Sequence, residues 1–114
     1  MSWFEDDLEV PNEEPSWVKI GPLDRFVVNR TRVVFVGVTK VAVLRRPEGF
    51  FAFKNSCPHA GGSLGLGDIA GTIVSCPRHD WRFDIADGRC LDNAIYELRR
   101  YTVEVRGDEV WVLV

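Results

Sequence analysis

The sequence predicts an all-β fold, an antiparallel β-sandwich or small barrel, and two observations carry that prediction. From Trp17 onward, short runs rich in valine and aromatic residues are separated by glycine, proline and aspartate at the spacing of strands and tight turns. No segment repeats its apolar residues with a helical period, and residues 93–99 are the one stretch suited to a turn or two of helix.

The elements follow in order. Residues 32–38 and 40–46 are valine-rich and form the first hairpin, with Gly37 near its turn and Val41, Val43 and Arg45 alternating along the second strand. Pro47-Glu48-Gly49 is a turn that delivers a third strand at 50–54. Residues 101–106 and 109–114 form a terminal hairpin across Gly107-Asp108. Between the third strand and this hairpin lies an insertion that contains two Cys-Pro loops. Each loop follows a strand, 50–54 before Cys57 and 72–75 before Cys76. A strand gives each loop a rigid base, and the proline after each cysteine restricts its return path.

At 114 residues the chain supports one core, and its 46% hydrophobic content is ordinary for a globular domain. No run approaches the roughly 20 apolar residues of a membrane span. The start, Met-Ser-Trp-Phe-Glu-Asp-Asp, has neither a basic leader nor a twin arginine, so a cytoplasmic protein without membrane or nucleic-acid partners is expected. Asn29-Arg30-Thr31 matches a glycosylation sequon that such a protein would not use.

Charge divides the chain in two. Residues 1–15 hold six acids (Glu5, Asp6, Asp7, Glu9, Glu13, Glu14) and no base, so a −6 leader is joined to a +3 body. With Pro11 and Pro15 in it, the leader reads as a solvated, flexible extension, and residues 16–114 as the domain. Trp3 and Phe4 open a second possibility, docking on a partner or back across the positive body.

The chemistry lies in the insertion. The chain has two histidines, and each stands just after a Cys-Pro pair: Cys57-Pro58-His59 and Cys76-Pro77-Arg78-His79. Thiolate and neutral imidazole are ligands for both zinc and iron–sulfur clusters, so the residue types alone name a metal site without naming the metal. Cys57, His59, Cys76 and His79 are therefore the candidate ligands. A Cys2His2 zinc site in a binding module is the rival. Zinc modules usually pair Cys with Cys and His with His at short spacing, whereas each loop here mixes the two. Gly61, Gly62, Gly65 and Gly67 superficially suggest a phosphate loop, but no Lys-Ser/Thr follows. They are expected to let the backbone approach the metal closely, turn at positive φ and present N–H groups to sulfur.

The pattern Cys-x-His, sixteen residues, Cys-x-x-His, with the Gly-Gly at 61–62 and Phe83-Asp84, resembles the Rieske family of [2Fe-2S] proteins from about Arg32 to the C-terminus. The resemblance implies a Rieske-like barrel with an inserted two-loop cluster-binding subdomain. It implies one [2Fe-2S] cluster per chain, with Cys57 and Cys76 on one iron and His59 and His79 on the other. High-potential relatives carry Ser and Tyr hydroxyls two and four residues after the second histidine, and a cystine between the loops. Here those positions are Trp81 and Phe83, and Gly61 and Arg78. A midpoint near the negative end of the range of about −150 to +300 mV is thus expected, falling as pH rises through the alkaline range. Asp80 stands where many relatives have glycine, and is either a surface carboxylate or a charge that lowers the potential. The relatives' proline-containing cover loop corresponds to residues 91–94, which lack proline. Cys90 is expected to be a small core residue.

Rieske oxygenases need a second iron on two further histidines and a carboxylate, and no histidines remain. The resemblance therefore implies a non-enzymatic electron carrier, a soluble ferredoxin that takes one electron from a flavin reductase and passes it to a terminal oxygenase or another redox enzyme. Trp81 and the nearby arginines are candidate partner contacts. The small Rieske-like subunit of an NAD(P)H nitrite reductase is the alternative.

Overall fold

The computed structural model of the chain describes residues 16–58, 61–78 and 80–114. The expectations for residues 1–15, His59 and His79 fall outside the described residues.

The strand Thr39–Arg46 explains the architecture. Its Val41-Ala42-Val43-Leu44 run is buried on both faces, with each of the four side chains at 0% exposure. Because successive strand residues point to opposite sides, one strand feeds two cores. Val41 and Val43 pack with Phe26, Ala52, Val110 and Val112 inside a barrel. Ala42 and Leu44 pack on the other side with Phe53, Cys57, Leu64, Val74, Cys76 and Phe83. The neighbouring strand repeats the division, with Phe50 and Ala52 on the barrel side and Phe51 and Phe53 under the insertion. The sequence reading anticipated a single alternating face here, and the uninterrupted apolar run was the signal for two.

The strands in chain order are β1 (Trp17–Pro22), β2 (Thr31–Val36), β3 (Thr39–Arg46) and β4 (Gly49–Lys54), then the short β5 (Ile69–Ala70), β6 (Ile73–Ser75), β7 (Arg82–Asp84) and β8 (Arg89–Cys90), and finally β9 (Arg100–Arg106) and β10 (Glu109–Leu113). The six long strands form one antiparallel, nearly closed sheet in the order β1-β10-β9-β4-β3-β2. The four short ones form a second sheet, β5-β6-β7-β8, within the insertion. Turns fall where glycine permits them: Gly37 and Gly107, at φ 63° and 62°, close the β2–β3 and β9–β10 hairpins, while Pro47-Glu48 turns β3 into β4. Two 3-10 turns, Leu23–Arg25 and Leu64–Leu66, were not foreseen.

Residues 93–99 make no helix. The Asn93 side-chain oxygen accepts the Ile95 N–H at 3.1 Å and its carbonyl accepts the Tyr96 N–H at 3.1 Å, so an asparagine-centred turn takes the groups a helix would have used. Among the described residues no helix is long and apolar enough to cross a membrane.

All strand ends that flank the insertion lie at one end of the barrel. The pairings Trp17 with Leu113, Leu113 with Thr102, Tyr101 with Ala52, and Lys54 with Val41 align the start of β1, the end of β10, the start of β9, the end of β4 and the start of β3. The insertion hangs from this end, between β4 and β9.

Candidate metal centre

Two loops of the insertion share one backbone design. In the first, the Cys57 N–H donates to the Gly62 carbonyl at 2.9 Å and the Cys57 carbonyl accepts the Gly61 N–H at 2.8 Å. In the second, the Cys76 N–H donates to the Trp81 carbonyl at 2.8 Å and the Cys76 carbonyl accepts the Asp80 N–H at 2.8 Å. Each loop thus closes from its cysteine to the fourth and fifth residues beyond. The fourth residue has positive φ in both, 73° at Gly61 and 61° at Asp80. His59 and His79 fall inside these loops by sequence, two and three positions after their cysteines, and both lie outside the described residues.

The conformation of Asp80 adds a reading that its sequence did not suggest. Left-handed backbone favours glycine, and aspartate is among the few other residues that enter it readily. Asp80 therefore stands in for a glycine as a matter of loop geometry, and it is exposed.

Different supports hold the two loops. The second sits on a ladder, with Ser75 opposite Arg82, Val74 opposite Phe83 and Ile73 opposite Asp84. Among the described residues the first has only the isolated bridge Ser56 to Ser63 in place of a ladder. Asn55, 4% exposed, supplies the rest. Its N–H donates to the Lys40 carbonyl at 3.0 Å and its carbonyl accepts the Leu64 N–H at 2.7 Å. Its side-chain oxygen accepts the Gly65 N–H at 2.7 Å, and its amide donates to the Ser63 hydroxyl at 2.7 Å. Sequence reasoning missed Asn55, and an asparagine two residues before the cysteine, at the end of an apolar strand, was the available signal.

Both cysteines are buried, Cys57 at 2% and Cys76 at 0% exposure, in the same apolar cluster. The loops also touch. A Cβ on Gly62 of the first loop would lie 3.2 Å from the Cys76 sulfur and 2.7 Å from Cγ of Arg78, so the second loop's sulfur and arginine stem rest against the first loop's backbone. Two thiols enclosed together, each on a tight loop, with one sulfur against the opposite loop, fit a cluster bridged between the loops. Among the described residues no three His, Cys, Asp or Glu side chains are grouped closely enough to hold a metal ion. Both histidines are outside that set.

The glycines meet the expectation in part: Gly62 lets the first loop approach the Cys76 sulfur, and Gly61 turns at positive φ. Only Gly61 of the four has positive φ. Gly67 is a close-approach site, where a Cβ would fall 1.8 Å from the Ser75 carbonyl oxygen, at the foot of the second loop. The N–H groups of Gly61, Gly65 and Gly67 go to oxygen acceptors of Cys57, Asn55 and Leu64 instead of sulfur, because the loop turns need those donors first.

The cover segment is tied down without proline. The Asp92 carboxylate accepts the Arg82 backbone N–H at 2.7 Å and pairs with the Arg82 guanidinium at 2.9 Å. Side-chain and backbone hydrogen bonds from Arg82 hold the Asp92 carboxyl below its ordinary pKa. Trp81 is half-buried and meets Tyr96 edge-on at 5.3 Å, packed against the apolar cluster. Phe83 is fully buried, and Cys90 is a core residue at 2% exposure. None of the three cysteines is in a disulfide.

A buried pair of cysteines on matched loops, hung from one end of an antiparallel barrel, defines a domain built to hold a metal cluster. The family model of the Rieske-like [2Fe-2S] domain matches residues 16–113, and the chain belongs to that family; its cofactor is a [2Fe-2S] cluster. The family sets aside the zinc site. The chain is 33% identical over 82 residues to ferredoxin CarAc of Metapseudomonas resinovorans, covering 71% of this chain and 77% of that protein. It is 35% identical over 75 residues to the oxygenase component of a 3-ketosteroid-9-alpha-monooxygenase of Mycolicibacterium smegmatis, but spans only 19% of that longer protein. Two solved structures share the fold at TM-score 0.76. One is from a complex of reduced oxygenase and oxidised ferredoxin in carbazole 1,9a-dioxygenase (30% identity, 84% of this chain, 91% of that one). The other is a putative small subunit of NADPH nitrite reductase (25% identity, 87% and 99%).

Proposed function

We propose that Cys57 and Cys76 hold one iron of the [2Fe-2S] cluster and His59 and His79 the other, and that the chain is a ferredoxin-like carrier of single electrons from a reductase to a terminal oxygenase. The observation that carries this is the pair of matched loops, each placing one buried cysteine at its closing position, with the Cys76 sulfur against Gly62 of the other loop. When bound, the cluster supplies a one-electron couple. The chain's residues enclose it: Leu64, Val74, Phe83 and Leu98 are buried with the two cysteines and exclude water from that side. Asn55 and the β6–β7 ladder fix the loops from beneath. Trp81 and Phe83 bring no hydroxyl to the positions where high-potential relatives have one, which supports a low potential.

The likeness to ferredoxin CarAc, and to a chain from a complex of oxygenase and ferredoxin, supports a carrier. The likeness to a nitrite reductase small subunit favours the second reading, a permanent subunit. A carrier forms weak, salt-sensitive encounters, whereas a subunit stays in a large, tight interface. The test is low-temperature EPR before and after dithionite, with iron, sulfide and zinc measured on the same sample. A rhombic signal that appears only on reduction, with two iron and two sulfide per chain, is the expected result. A colourless protein with one zinc would sink the proposal.

A further inference from the structure

We propose that the cationic rim of the first cysteine loop is a docking groove for the chain's own acidic segment, residues 1–15. The groove is made of two adjoining depressions that share Lys54. One, of 440 Å³, is lined by Val38, Lys40, Lys54, Asn55, Gly61 and Gly62. The other, of 320 Å³, is lined by Lys54, Cys57, Pro58, Glu97 and Arg99. Arg78 adjoins the first through its stem against Gly62. Lys40, Lys54, Arg78 and Arg99 are all exposed. None of them joins an ion pair among the described residues, unlike Lys19, Arg46, Arg82, Arg89 and Arg106. Among the described residues, Glu97 is the one carboxylate lining either depression. The rim also has an apolar lip: Val38 is 97% and Phe35 68% exposed, and the Lys40 ammonium stands 5.6 Å over the Phe35 ring.

Residues 1–15 complement this surface in both respects. They carry six acids and no base, interleaved with Trp3, Phe4, Leu8 and Val10. Their attachment point is at the right end of the barrel. Ser16 is held to Val114 at the start of β1, level with the ends of β4 and β3 that bear Lys54 and Lys40. From β1 across β10, β9 and β4 to β3 is four strand spacings, about 19 Å. Fifteen residues reach up to about 50 Å, and a tether of that length presents its charges at roughly millimolar effective concentration.

The test compares amide hydrogen exchange at residues 38–41 and 54–58 in the full cluster-loaded chain and in a full-length variant with the six acids neutralised (E5Q/D6N/D7N/E9Q/E13Q/E14Q). At low salt these segments should exchange roughly two- to tenfold more slowly in the natural chain, as expected when tethered affinity and effective concentration are comparable. The difference should vanish at about 0.5 M salt and in K40E/K54E/R99E, all exposed positions away from the core. Equal exchange in the two chains, or protection that K40E/K54E/R99E leaves intact, would overturn the proposal. Protection lost on dilution would assign the groove to a second copy's leader and overturn the intramolecular form. Iron content and EPR signal are unaffected by these outcomes, so failure here is distinct from failure of the cluster assignment.

Discussion

The two cysteine loops close with the same hydrogen-bond pattern from different foundations. Loop 76–81 grows from a continuous ladder, so ordinary strand pairing sets its position. Loop 57–62 closes on a single bridge, and the buried side chain of Asn55 replaces the missing ladder with contacts to Ser63 and Gly65. The residue at the left-handed position differs as well, Gly61 in one and Asp80 in the other. A tight loop thus needs a left-handed fourth residue and a fixed base, and side-chain or backbone groups can supply that base equally well.

The largest effect should come at Gly67, where the segment that follows the first loop meets the foot of the second. Gly67→Ala drives a methyl to within 1.8 Å of the Ser75 carbonyl, and backbone cannot yield as a side-chain tip can. A loss of about 3 kcal/mol, at the upper end of overpacking costs, should appear in denaturant unfolding, with loss of cluster colour at a lower temperature. Next is Asn55→Ala, which removes the first loop's foundation and leaves the Gly65 N–H without its acceptor. A cost of about 2 kcal/mol is expected. Hydrogen exchange should rise at residues 55–58 and 61–65 while β6 and β7 stay protected, and equal loosening of both loops would break the comparison.

Asp92→Asn tests the brace behind the second loop. Because the Asp92 carboxyl is held below its ordinary pKa in the folded chain, its stabilisation is fully present above the unfolded value of about 3.9. It fades as pH falls through the lowered folded value. Natural and D92N chains should therefore differ in thermal stability at pH 6 to 7 and converge once the pH lies below the lowered folded value, as acid titrations would record. The smallest effect is at Asp80. Asp80→Gly should leave stability unchanged or raise it by up to about 1 kcal/mol, whereas Asp80→Val should lower it by about 1 to 2 kcal/mol. If D80G instead destabilises, the carboxylate has a role beyond admitting positive φ.

Much of this was legible in the chain. The turns at Gly37, Pro47-Glu48-Gly49 and Gly107 and the strands between them follow from local chemistry, and they lie within a residue or two of the expected positions. The cysteine pair was legible because short motifs with proline leave few alternatives. The role of Asn55 was not, since its partners are Ser63, Leu64, Gly65 and the distant Lys40. Nor was the double burial of β3, which depends on an insertion folding back over a strand that local periodicity treats as one-sided. Asp80 looked like a question of charge, and its φ made it first a question of backbone.

That the two loops build a single metal site is tested most directly by measuring iron and sulfide in the Cys57→Ala and Cys76→Ala proteins, purified in parallel with the natural chain and checked for folding by circular dichroism. Both variants should be folded and devoid of iron, sulfide and the reduced-state EPR signal. Natural-level iron with an unaltered signal in either variant would contradict the assignment.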